Sequence, residues 1–410
     1  MDRWYYSYYD QVLGPKSREE MLELNRKGIV EEETLIKKEE QEEWVAFENS
    51  ELGHELAATT ETVDPGFSGQ VRGAFLNATA KVNQMVGEKG NIDLNMRDVF
   101  SDVFKKHSKE EGELLFISGT SVTTPEESEI SYSWPKPWLF SRIFLASVLI
   151  YILLYVCVTT FQNANAIPGM IVIGAFAVPF SLLVFFWETN APRNISIFEV
   201  IRMFFVGGVA SIAATLFIFS FFPVFQLDFS GAIAVSITEE LGKLAIIAYF
   251  INKLQVKYIL NGLLIGAAIG AGFAAFESAG YAFNIGLVLG GEAMIANIMD
   301  RALLAVGGHV VWAAITGAAL TLVKGNAPLS REHLLHPTFL KLFLVPVILH
   351  AVWNMPLPLL HTFYAIFLVL IVIAWVFIFT LMNAGLKQIP RLNTSYEDHE
   401  KQLRSRRYSK

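Results

Sequence analysis

From Trp138 onward the chain contains eight apolar runs, at about 139–161, 168–187, 197–222, 230–251, 259–285, 301–323, 338–355 and 362–383. Each is near or above the ~18 residues needed to cross a bilayer. Hydrocarbon offers a backbone no hydrogen-bond partner, so such runs must satisfy their own N–H and C=O groups as helices. The expected fold is therefore an all-α polytopic membrane bundle of about eight transmembrane helices, in contact with the lipid bilayer. Only 17% of residues are charged, against about 25% in soluble domains. Cys157 is the one cysteine, which rules out an intrachain disulfide or a multi-cysteine metal site. The net charge of -7 comes from segregated acids and bases, and nothing in that pattern points to nucleic acid.

The basic residues set an orientation. Lys136 and Arg142 flank the first run, Arg193 and Arg202 join the second to the third, and Lys253 and Lys257 follow the fourth. Lys324, Arg331 and Lys341 follow the sixth, and Lys387, Arg391, Arg404, Arg406 and Arg407 follow the eighth. The alternate connections, Gln162 to Pro168, Gln226 to Ser230 and Asn354 to His361, carry no Lys or Arg. The positive-inside rule then puts both termini in the cytoplasm. The start, Met1-Asp2-Arg3-Trp4, lacks the basic and apolar regions of a signal peptide, which leads to the same side.

The fourth run is interrupted by Glu239-Glu240-Leu241-Gly242-Lys243. An ionisable group at the centre of a membrane helix costs about 2.5–3.5 kcal/mol on insertion scales, so such groups mark function by default. At 1.5 Å per residue, the two glutamates lie about 15 Å into their span, His309 and His350 fall at similar depth on runs six and seven, and Glu277 falls in the outer half of run five unless that helix is broken. Positions four apart share a helix face, which pairs Glu239 with Lys243, Phe273 with Glu277, and His350 with Asn354. Gly262, Gly266 and Gly270 form a small-xxx-small stripe on run five that allows close helix approach. Trp312 and Trp353 read as packing, and Glu292, Asp300 and His361 as interfacial. Arg301 either snorkels or supports the site.

These motifs together resemble one family. Glu239-Glu240-Leu241-Gly242-Lys243 looks like its EExxK motif, Phe273-Ala274-Ala275-Phe276-Glu277 like its FxxxE motif, and Arg301 through His309 and His350 through Asn354 like its third and fourth motifs. The family is that of the PrsW intramembrane proteases, which are bacterial and distantly similar to type II CAAX prenyl endopeptidases. The resemblance covers about residues 138–385. It implies a multi-pass protease of a bacterial cell membrane that cuts a single-span membrane protein, such as an anti-sigma factor in a stress response.

Peptide hydrolysis needs an activated water and a group that stabilises the oxyanion. Glu239 or Glu240 is the candidate base, with Lys243 holding the other as its carboxylate, and His309, His350 and Asn354 are candidates for positioning water or stabilising the oxyanion. In a second version of the same chemistry, His309, His350 and Glu277 hold zinc with one open position. The chain has no HExxH motif, and the metal-free glutamate version is the first choice. Other classes remain open: a proton-coupled transporter or channel would also use midplane Glu and His, and a non-catalytic scaffold would only dock peptides.

Ahead of the membrane region, residues 1–56 read as a small soluble α+β domain. The aromatic strand Trp4-Tyr5-Tyr6-Ser7-Tyr8-Tyr9 leads to a Gly14-Pro15 turn, and Ser17 with Glu20 has capping-box spacing. Gly28-Ile29, Thr34-Leu35-Ile36 and Trp44 follow. The order resembles the GYF-2 domain, with Glu42-Glu43 where Gly-Met usually precedes the last Trp. That resemblance implies a peptide ligand docking on exposed aromatics, while the same aromatics could instead form a small core. Residues 57–135 read as a polar linker with a small amphipathic helical element at Asp98–His107, Val99, Phe100, Val103 and Phe104 sharing one face and His107 on the surface. Residues 136–387 form the membrane protease domain and 388–410 a basic cytoplasmic tail.

Overall fold

The computed structural model describes residues 3–8, 11–26, 30, 34–41, 43–54, 67–88, 90, 92, 94–357 and 364–408. The linker segment 57–66, Gly28-Ile29, Glu42 and His361 lie outside the described residues. Two compact units result, Met1–Asn95 and Met96–Lys410.

In the first unit, strands β1 (Arg3–Tyr8), β2 (Gln11–Ser17), β3 (Leu35–Lys38) and β4 (Val45–Ala46) form an antiparallel sheet in the order β2-β1-β3-β4. Strand alternation sends Trp4 and Tyr6 inward to Met21, Val30, Ile36, Phe47 and Leu52. Those two aromatics are therefore core, while Tyr5 and Trp44 are half-buried. The predicted capping box opens helix α1 (Arg18–Arg26): the Glu20 amide donates to Ser17 Oγ at 3.2 Å, and the Ser17 amide donates to the Glu20 carboxylate at 2.8 Å. Part of what reads as linker is a 19-residue helix, α2 (Phe67–Met85).

The second unit begins with a correction. Instead of one amphipathic helix, Met96–Val99 and Ser101–Phe104 form two short turns that break at Phe100. Val99 is buried and Phe100 packs on Phe140 and Phe185, but Phe104 is 91% exposed. His107 is not a surface residue. Its ring stacks on Trp138 at 3.8 Å, and its nitrogens meet Glu111 and the Asp102 carbonyl. The capping box of Ser108 and Glu111 starts α3 (Lys109–Phe116).

The membrane helices are α4 (Leu139–Thr159), α5 (Ile167–Glu188), α6 (Ile197–Phe221), α7 (Phe229–Leu254), α8 (Ile259–Leu289), α9 (Gly291–Leu304), α10 (His309–Lys324), α11 (Pro337–Asn354) and α12 (Ala365–Tyr408). Among the described residues seven helical stretches are long and apolar enough to cross a membrane, α9 and α10 counting as one stretch. The protein is thus a multi-pass membrane protein. Helix α7 is not among the seven, although its 26 residues suffice in length, because its middle carries Glu239, Glu240 and Lys243.

Helix α8 lies at the centre. The glycine stripe does what its spacing predicts: a Cβ on Gly262, Gly266 or Gly270 would run into the Gly317, Ala313 or His309 carbonyl oxygen, so α8 and α10 touch backbone to backbone. The sixth run departs from expectation. It is not one helix over 301–323, because α9 ends at Leu304, a 3-10 turn spans Ala305–Gly307, and Gly308 caps α10. Residues 291–300, expected as connection, form most of α9. The Gly307-Gly308 pair supplies the break, since neither residue has a side chain to favour helix.

Candidate active site

Helix α7 starts cleanly because the Asp228 carboxylate accepts from the Gly231 amide at 2.7 Å. Its interior face presents Glu240 and Lys243, both with no exposure, and Glu239 at 8%. The i,i+4 expectation paired Lys243 with Glu239. The structure pairs it with Glu240, three residues away, at 2.5 Å.

The histidines complete a chain of contacts. The Lys243 Nζ also lies 2.9 Å from His309 Nδ1, and His309 Nε2 lies 3.1 Å from Glu277 Oε2. Glu277 in turn accepts from an Arg301 NH2 at 2.5 Å, and Arg301 Nε donates to Ser278 Oγ at 2.8 Å. On the other side, His350 Nδ1 lies 2.9 Å from Glu240 Oε1, and its Nε2 faces Glu239 Oε2 at 3.7 Å.

Donor and acceptor capacities assign the tautomers from this network. An ammonium only donates, so His309 Nδ1 accepts from Lys243, and its Nε2–H donates to Glu277. A carboxylate only accepts, so His350 donates Nδ1–H to Glu240. His350 Nε2 is then a lone pair facing Glu239 Oε2, itself buried and without a hydrogen-bond partner. Two acceptors pointed at each other across a buried 3.7 Å gap repel unless something positive lies between them. A proton or a cation would fill that role.

Glu239, His309 and His350 each offer a ligand atom within 4.8 Å of the others. The carboxylate of this set is Glu239, whereas the sequence pointed to Glu277. The difference follows from Arg301, which with His309 occupies Glu277. Arg301 does not snorkel, and it also lies over the Tyr281 ring at 4.5 Å. Asn354 is the last residue of α11, one turn beyond His350, and is half-buried.

Aromatic rings wall the cluster. Trp312 stacks on His350 at 4.5 Å, Phe273 lies 4.9 Å from His309, and the Lys243 ammonium sits over both Phe273 and Trp312. Sequence reasoning missed Ser278 and gave Trp312 no part in the site. The signal for Trp312 was its i,i+3 spacing from His309, which puts both on one face.

Residues 192–382 match the model of the PrsW family intramembrane metalloproteases. This part of the chain is similar to the PrsW family. The match is narrower than the sequence resemblance. It holds every one of these site residues but leaves α4 and α5 outside. Residues 4–50 match GYF domain 2. No curated protein and no solved structure matches the chain. The two matches support a membrane protease with an N-terminal GYF domain, and the description of the matched family names a metal.

Proposed function

We propose that the PrsW-family domain is an intramembrane endopeptidase in which Glu239, His309 and His350 hold a divalent metal, zinc by the chemistry of the donors. The observation that carries this reading is the unpartnered Glu239 Oε2 facing the lone pair of His350 Nε2. When bound, such an ion polarises a carbonyl and makes water a nucleophile near neutral pH.

The remaining roles belong to the chain. Glu240 accepts the Nδ1–H of His350 and so fixes that ring, as a carboxylate behind a ligating histidine does. Its other oxygen, Oε2, is buried with no partner among the described residues, and takes the proton of the attacking water and returns it to the leaving amide nitrogen. Lys243 holds Glu240 in place and lies over the rings that exclude bulk water. Glu277, clamped by Arg301, orients His309. Asn354 donates to the developing oxyanion.

A metal-free version has one observation in its favour: both nitrogens of His309 are engaged, so His309 joins a metal only by exchanging its bond to Lys243 or Glu277. In that version a proton bridges Glu239 and His350. The family match favours proteolysis over a transporter or a silent scaffold. The substrate class we propose is a single-span membrane protein, such as an anti-sigma factor, in a bacterial cell membrane, with both termini of the protease cytoplasmic and its GYF domain docking a peptide.

Proteomics of membrane-anchored fragments in cells carrying the unaltered or the Glu240→Gln protein tests the activity. Fragments that vanish with Glu240→Gln are expected. Identical fragment sets, together with substrate-coupled proton flux by the purified protein, would contradict proteolysis.

A further inference from the structure

Outside the PrsW match, α4 packs mainly against α5, with Tyr151, Leu154 and Val158 also meeting an apolar cluster of α5, α8 and α9, and beyond Leu139 none of its residues is buried. Between α4, α5, α9 and α12 runs an apolar groove of about 890 Å³, lined along its length by Phe140, Phe144, Tyr151 and Tyr155 of α4. From Phe140 to Tyr155 it extends roughly 22 Å at the helical rise. A helix is about 10 Å across, and the groove is long enough for one to lie along it with its other side to lipid.

Two features choose the occupant. The Tyr151 hydroxyl is buried with no hydrogen-bond partner among the described residues. It lies in the middle of α4, roughly 12 Å or more from either end. A lipid keeps its ester groups at the edges of the ~30 Å hydrocarbon core, whereas a membrane-spanning peptide brings carbonyls and hydroxyls to mid-depth. The groove also adjoins residues that support the catalytic cluster. Gly174, Ile298 and Ala302 line both it and a small crevice that reaches Ser278 and Arg301, the residue that clamps Glu277. Gly174 lets Tyr151 of α4 and Ile298 of α9 close on α5 there, since a Cβ would meet Ile298 and the Tyr151 ring.

We propose that this groove is where the transmembrane segment of a single-span substrate docks before cleavage, with Tyr151 hydrogen-bonded to a polar group at mid-span. The proposal rests on the protease reading above. Helix α4 is then the wall past which the substrate enters, and α9 with its 3-10 turn separates the seated segment from His309.

The test uses two biotinylated peptides in phosphatidylcholine vesicles. Both have a Lys-flanked Leu/Ala span of about 20 residues, and one carries a central Thr-Gly pair. The full-length Glu240→Gln protein bears a benzophenone side chain in place of Phe144, in the groove, or of Phe217, 67% exposed on α6. We expect the Thr-Gly peptide to be captured at Phe144 about fivefold more than at Phe217, and Tyr151→Phe to remove that preference, as loss of one hydrogen bond predicts. Equal capture at the two positions, or lipid adducts alone at Phe144, would overturn the proposal. A Val148→Trp variant, which fills the groove, should also lose cleavage of a substrate found by the proteomics above. If Val148→Trp cleaves normally while Glu240→Gln does not, the groove assignment fails and the protease stands. If capture follows the expected pattern but the unaltered protein cleaves no substrate, the protease reading fails and the groove remains a helix-binding site.

Discussion

At the scale of single residues, the account turns on which carboxylate each cation holds. Lys243 and Glu240 are both fully buried and 2.5 Å apart, so removing one leaves the other with a histidine hydrogen bond but no direct counter-ion, at a typical cost of about 3–5 kcal/mol. Lys243→Met should therefore lower the thermal midpoint of the purified protein sharply, and adding Glu240→Gln should restore part of the loss. A double variant no more stable than Lys243→Met would show that the pair is not coupled. The residues of this cluster were legible in the sequence because each is expensive in hydrocarbon. Their pairing was not. The difference between i+3 and i+4 partners, and between Glu239 and Glu277 as the carboxylate facing the histidines, depends on the rotation of α7 against α8 and α11 and on where Arg301 ends up, which no local spacing encodes.

At the scale of elements, helix α8 shows what small residues do. A methyl group at Gly266 has nowhere to go except into the Ala313 carbonyl, whereas one at Gly280, on the same helix, meets nothing within 4 Å. Gly266→Ala should destabilise by about 1–3 kcal/mol through overpacking, while Gly280→Ala should be neutral or slightly stabilising. Equal effects in a thermal unfolding series would break the claim that α8 and α10 meet backbone to backbone. In the N-terminal domain, the Ser17 amide and then Lys16 hold the Glu20 carboxyl below its ordinary range. A carboxyl depressed in the folded state stabilises above its unfolded value, roughly 4.3, and that contribution disappears as the pH falls below it. The protection factors of Arg18–Arg26, with the intrinsic pH dependence of amide exchange divided out, should therefore fall on acidification in the unaltered protein and change less in Glu20→Gln. The capping box and the glycine stripe were both readable from spacing, because each acts within one turn or along one face. The break at Ala305–Gly307 and the split at Phe100 were not, because the same residues satisfy a continuous helical pattern equally well and tertiary packing decides.

At the scale of the whole molecule, the membrane bundle was plain in the apolar runs, and the helix that fails a simple length and composition test is the one that carries the site. That coincidence has a physical basis: charged groups which make α7 a poor membrane segment by itself are tolerated only because α8, α10 and α11 surround them with partners. If α7 nevertheless spans, the number of crossings is even and cysteine-accessibility labelling should find both termini on the same side of the membrane. Termini on opposite sides would remove α7 from the count and with it the assembly of the site. The function of the assembled cluster comes down to what lies between Glu239 Oε2 and His350 Nε2. The most direct measurement is the metal content of the purified protein beside that of its Glu239→Gln and His350→Ala variants. The account predicts stoichiometric zinc in the unaltered protein and little in either variant; metal-free protein that still cleaves a membrane-anchored peptide at full rate in the presence of a chelator would contradict it.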